Sequence, residues 1–171
     1  MRTVLHAALA GLIAAVPVAA QTGGKATASK PDPRKIESRE TFVAVLSGAY
    51  EVPAVETRAS GTADLTLVGS RLSYRVHVQS VNDVTGVYIH IGRAGEDQPV
   101  VADLCEGLNA GPASGLVASG TLRAADLHGA SMARLRRALQ EDDAYITVHT
   151  VAHPGGVMRG QLRRQPTLAS R

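Results

Sequence analysis

Apolar and polar side chains alternate with a period of two through most of this chain. Phe42, Ala44 and Leu46 fall on one side of such a segment, and Thr41, Val43 and Val45 on the other. Ala63, Leu65 and Leu67 then alternate with Thr62, Asp64 and Thr66. After a tight turn at Gly69-Ser70, Leu72, Tyr74, Val76 and Val78 alternate with Ser73, Arg75, His77 and Gln79. A two-residue period sends successive side chains to opposite faces of a strand, so this stretch predicts a β-hairpin with one buried face. Val87, Ile89 and Ile91 continue the pattern, and candidate strands follow at 99–104, 116–122, 145–150 and 156–163. The last two flank Pro154-Gly155-Gly156, a turn-forming run that marks a second hairpin.

The period changes between Ala124 and Asp143. Met132, Leu135 and Leu139 recur at helical spacing, Ser131 stands ready as N-cap, and Arg134, Arg136 and Arg137 fall on the solvent side. About eight short strands, Gly/Pro turns and one short helix predict an all-β fold, a Greek-key β-sandwich or barrel.

The ends of the chain follow another pattern. Residues 1–20 have a basic start at Arg2, an apolar run, and small residues at Val18 and Ala20 that suit a signal peptidase. They predict a secretory signal peptide with Gln21 as the new N-terminus. Residues 21–40 are rich in Thr, Ser, Lys, Pro and Gly and predict a flexible linker; 164–171 predict a disordered tail. One domain, 41–163, remains, and no second apolar run suggests a transmembrane anchor.

Charge narrows the function classes. The chain carries a net +3 and a pI of about 9.4. Yet residues 41–163 hold 10 Arg and no Lys against 12 acids, a net of −2. The positive charge lies in the leader, linker and tail, and the few aromatics do not interleave with Arg clusters. Nucleic-acid binding is therefore not expected. Cys105 is the only cysteine, so no intramolecular disulfide stabilises the fold. It reads as a small, buried apolar residue.

Candidate chemistry gathers by strand parity. His149 lies on one strand of the closing hairpin, Arg159 and Gln161 on the other, and His90 on the strand at 87–91. If those faces adjoin, they form one polar cluster, in which Arg159 is expected to cap exposed carbonyls or to pair with Glu51. The expected role is a hydrogen-bond network that pins the closing strands, because buried polar groups must find partners. The alternative is copper or zinc on His90 and His149, with His77 or His153 brought in by the fold. A structural zinc site needs four ligands and a catalytic one needs three plus water. Gly92-Arg93-Ala94-Gly95-Glu96-Asp97 opens no helix and lacks calcium-loop spacing, so it reads as a solvated connection. No nucleophile elbow or Ser/His/Asp arrangement stands out.

Three blocks resemble a known family, the chordin-type (CHRD) domain. They are Phe42-x-Ala44-x-Leu46-Ser47-Gly48-x-x-Glu51-Val52-Pro53 with Gly61-Thr62-Ala63; Tyr88-Ile89-His90-Ile91-Gly92 with Gly95 and Pro99-Val100-Val101; and Tyr145-x-x-Val148-His149-Thr150 with Pro154-x-Gly156 and Arg159-Gly160-Gln161-Leu162. The resemblance implies a secreted β module. Such modules occur repeated in chordins, extracellular antagonists of growth factors, and singly in bacterial exported proteins. The expected function is a non-enzymatic binding or structural module of the cell envelope or extracellular space, with an envelope or extracellular protein as partner. Tyr88, Thr147 and Val157 stand where the family usually has His, Asn and Glu, which trims the polar cluster. The family's middle block also looks like the copper-ligand strand of copper–zinc superoxide dismutases, which is the source of the metal alternative.

Overall fold

The computed structural model describes residues 38–166, and within them not the side chains of 108 and 109. Seven strands and one helix follow in order: β1 (Arg39–Ser47), β2 (Ser60–Val68), β3 (Arg71–Ile91), β4 (Val100–Leu122), α1 (Met132–Gln140), β5 (Ala144–Thr150), β6 (Met158–Gln161) and β7 (Arg163–Gln165). Every pairing is antiparallel. The predicted hairpin at Gly69-Ser70 forms with Val68 opposite Arg71.

The sheet closes on itself. β2 pairs with β1 on one edge and the first half of β3 on the other. The second half of β3 pairs with β5, β5 with β6, and β6 returns to β1 at Ser47↔Arg159. β7 extends this seam along Thr41–Val43, and β4 runs along the remaining edge of β3. A late strand thus lies beside the first, as in a Greek key. β1 and β6 approach so closely that a side chain at Gly160 would meet the Val45 carbonyl.

The all-β class predicted from the alternation is the class observed, but the segments join differently. The candidates at 72–79 and 87–91 are two halves of one strand, β3, as are those at 99–104 and 116–122 in β4. Register shifts between Val78 and Val81 and between Asn82 and Val84 bend β3, with Ser80 and Asp83 at positive φ of 55° and 49°. The Asp83 carboxylate accepts the Gly111 N–H at 2.6 Å, tying the bend to β4. A bulge of this kind lets one strand serve both halves of a barrel.

The core is the apolar face of each strand. Phe42, Leu46, Leu65, Leu67, Leu72, Ile89, Ile146, Met158 and Leu162 are sealed from solvent, each contributing about 1.5–3 kcal/mol. α1 adds Leu135 and Leu139, and Ser131 caps it by accepting from the Arg134 N–H at 3.2 Å. Arg136, expected in solvent, instead donates to the Gly69 carbonyl of the β2–β3 turn. Cys105 is half-buried and packs against the core as a free thiol.

Two predicted boundaries move. β1 begins at Arg39, inside the expected linker, because Glu40 is buried and accepts from Gln140 Nε2 at 2.8 Å. Arg164 and Gln165, expected in the tail, pair with β1 in β7. The rest of the linker and tail, and the whole predicted signal peptide, lie outside the described residues. Among the described residues no helix is long and apolar enough to cross a membrane.

Candidate functional site

Strand parity brings the predicted polar residues together. Val87 and Ile89, then Ala144, Ile146 and Val148, then Met158 and Leu162 face the core. Their neighbours Tyr88 and His90 on β3, Tyr145, Thr147 and His149 on β5, and Arg159 and Gln161 on β6 share the outer face. Register aligns them across the sheet, with His90 opposite Tyr145, and Thr147 opposite Arg159.

One part of the cluster is a linear chain of hydrogen bonds. His90 Nδ1 lies 2.6 Å from the Gln98 carbonyl, and a carbonyl only accepts, so Nδ1 carries the proton. Burial lowers the pKa of His90, and the nearby Arg159 adds to this. The neutral ring therefore accepts at Nε2, where the Thr147 hydroxyl donates at 3.0 Å. Thr147 Oγ1 in turn accepts from His149 Nε2 at 3.1 Å. Burial lowers the His149 pKa as well, with His90 as the next cause. The carbonyl partner of Nδ1 fixes the tautomer of the His90 ring. His149 also packs edge-on against Tyr88, with centroids 4.7 Å apart.

The second part reaches over the connection between β3 and β4. Arg159 is 3% exposed; its Nη1 donates to the Glu96 carbonyl at 2.7 Å and its Nη2 to the Arg93 carbonyl at 3.0 Å. Its guanidinium lies 3.4 Å from the centroid of the Tyr145 ring, and that ring stacks on His90 at 4.6 Å. Gln161 Nε2 spends both hydrogens, on the Gly92 carbonyl at 2.9 Å and the Asp142 carbonyl at 2.7 Å. The Gln98 N–H donates to Tyr145 Oη at 2.9 Å. The 92–97 connection, expected to be solvated and exposed over 93–97, is in addition held by its own carbonyls. Loop conformation of this kind is set by which backbone groups find partners.

Glu51 sits beside the cluster without joining it. It follows the 3₁₀ turn Gly48–Tyr50, is 9% exposed, and its Oε1 has no partner among the described residues. Of the two roles expected for Arg159, the structure has it capping carbonyls, and no ion pair with Glu51 forms. Burial raises the Glu51 pKa to about 7, against an opposing pull from Arg159 and with a further push from Asp97. Gly156, at a φ of 125°, is needed here because a Cβ would stand 2.5 Å from Glu51 Oε1.

The metal alternative fares less well. His90 and His149 both point Nε2 at one threonine hydroxyl, and His90 Nδ1 is committed to a carbonyl. His77 is exposed on the other half of β3, and His153 lies in the hairpin loop with its N–H on Thr150 Oγ1. Among the described residues no three His, Cys, Asp or Glu converge as ligands. Sequence reasoning missed Thr147, Tyr145 and Gln98. Parity placed Thr147 on the right face, but its replacement of Asn read as a loss, whereas its hydroxyl is the centre of the histidine chain.

The profile of the CHRD domain matches residues 42–162, most of the chain. The chain belongs to the CHRD domain family. No curated protein and no solved structure matches it. CHRD domains occur in extracellular and secreted proteins, and membership supports a binding or structural module.

Proposed function

We propose that this CHRD domain is an exported, non-enzymatic binding module of the cell envelope or extracellular space, and that its polar cluster is a structural pin. The observation that carries the reading is where the donors go. His90 Nδ1, Arg159 Nη1 and Nη2, and Gln161 Nε2 all end on backbone carbonyls of 92–98 or Asp142. A catalytic or metal-binding cluster keeps such groups aimed at an open position; here they hold a loop against the barrel. The binding surface is then what the pinned loop shapes, and its partner is an envelope or extracellular protein.

Three measurements test this. N-terminal sequencing after cell fractionation should find an exported chain that begins at Gln21; an intact Met1 in the cytoplasm overturns export. Native mass spectrometry, on protein purified without metal-affinity resin and titrated with Cu²⁺ and Zn²⁺, should show no stoichiometric ion. His149→Ala should lower stability by about 1–3 kcal/mol, since Thr147 then loses the group that donates to it. A bound ion that disappears in both His90→Ala and His149→Ala would replace the pin with a metal centre.

A further inference from the structure

The outer faces of β1, β6 and β7 form the floor of a groove of about 640 Å³. Ala49–Val52 form one wall, and Ala94-Gly95 of the pinned loop form the other. Five large apolar side chains stand exposed among the described residues, and three of them line this groove: Val45 (62%), Tyr50 (57%) and Val52. Exposed apolar side chains gathered in one concavity of ligand size mark a binding site more than chance exposure does.

Two of the three charged residues that line the groove are cationic. Arg159 lies in its floor, and Arg163 beside it is 57% exposed and pairs only at its Nη1 with Asp142. Glu51 is the sole acid in the lining. The groove is therefore a cationic spot on a domain whose net charge is −2. Opposite charge in a partly desolvated cleft attracts and orients a ligand, while a like charge is rejected.

We propose that this groove binds a small amphipathic carboxylic acid, with its apolar chain against Val45, Tyr50 and Val52 and its carboxylate at Arg163. The inference rests on the binding reading and adds a ligand class to it. Arg163 is the contact residue because its guanidinium has donors to spare, whereas those of Arg159 are engaged by the loop. Glu51 tunes the site. Arg159 on β6 and Asp97 on the loop face it, the Tyr145 ring is within its field, and Gly156 packs against its carboxyl. When Glu51 is neutral the groove keeps its full positive charge. When it ionises, as pH rises through about 7, the carboxylate ligand meets an opposing charge.

The test is titration calorimetry of the purified chain with octanoate, octanol and octyltrimethylammonium, which share a chain length and differ in charge. Octanoate should bind at one site per chain, and more tightly than octanol, with no saturable binding of the ammonium. Arg163→Gln should weaken octanoate about tenfold while leaving octanol unchanged, the size expected of one charge-assisted contact. Octanoate affinity should fall about fivefold between pH 6 and pH 8, and Glu51→Gln should abolish that dependence. Val45→Glu is an independent variant that blocks the apolar floor. Equal affinity for the three ligands, no saturable octanoate binding, or octanoate binding indifferent to Arg163→Gln and Val45→Glu would overturn the proposal. None of these outcomes bears on the pin, which is read from the melting of His149→Ala without ligand.

Discussion

Replacing Arg159 by Met isolates what one buried guanidinium does for the loop it holds. The stem volume is kept, and three interactions are lost: the bonds to the Glu96 and Arg93 carbonyls and the stacking on Tyr145. Hydrogen bonds to a charged group are worth about 1.5–3 kcal/mol each. The two carbonyls lie in an exposed loop and regain water, so the low end applies, about 3 kcal/mol for the pair. A buried cation over an aromatic ring adds about 1 kcal/mol. The expected loss is thus about 3–4 kcal/mol, or about 10 °C or more in Tm for a domain of this size. Arg159→Lys keeps the charge but reaches only one carbonyl, and should lose about half as much. The assay is urea unfolding at constant m-value, paired with hydrogen exchange of the amides of Gly92, Glu96 and Gln98, which are bonded to Asp143 O, Arg93 O and Tyr145 Oη. Those amides should lose protection while the β3–β5 ladder keeps its own. A Met variant within about 0.5 kcal/mol of the parent, or a Lys variant equal to it, would refute the pin, since such values are typical of surface changes.

Thr147→Val keeps the shape and leaves both histidine Nε2 atoms without a partner, so urea unfolding should show a loss of about 1–3 kcal/mol; an unchanged midpoint would break the assigned chain. The pH profile should bend at both ends. Glu51 holds its proton to about pH 7 in the fold, while the unfolded chain releases it near its ordinary 4.5. Its contribution is therefore full below 4.5 and lost as pH rises towards 7. His90 and His149 have lowered values in the fold, so the unfolded chain takes up protons first and stability falls as pH drops below about 6.5. Glu51→Gln should be more stable than the parent at about pH 8, by about 1–3 kcal/mol, and lose that advantage near pH 4.5. Parallel melting curves for the two proteins across this range would show that Glu51 ionises normally.

Much of the fold was legible because a two-residue period has one structural meaning. The core faces of β1, β2, β5 and the first half of β3 follow directly from alternation, and α1 from the spacing of Met132, Leu135 and Leu139. The continuity of β3 was not legible, since the bend at Ser80 and Asp83 uses no glycine or proline to announce it. Grouping of His90, His149, Arg159 and Gln161 followed from parity, which fixes a face. It does not fix what a long side chain reaches. Backbone carbonyls and the Glu51 carboxylate were both open to Arg159 as partners. Which carbonyls it would reach was not legible, since every residue carries one and no sequence pattern marks them. The groove escaped for a related reason: its walls come from residues 49–52 and 94–95, which meet only once β6 has closed against β1.

That closure sets a schedule for the molecule. β1 lies near the start of the domain and its seam partners β6 and β7 at its very end, with Ser47 opposite Arg159 and Thr41 opposite Gln165. Until the last strands exist, β1 has an open edge and the barrel has no seal over Phe42 and Leu46. Contacts so distant in sequence form late and slowly. The domain therefore has no finished fold to adopt until β6 and β7 have been made. For the export proposed above, this order of strands would itself be a safeguard against folding on the wrong side.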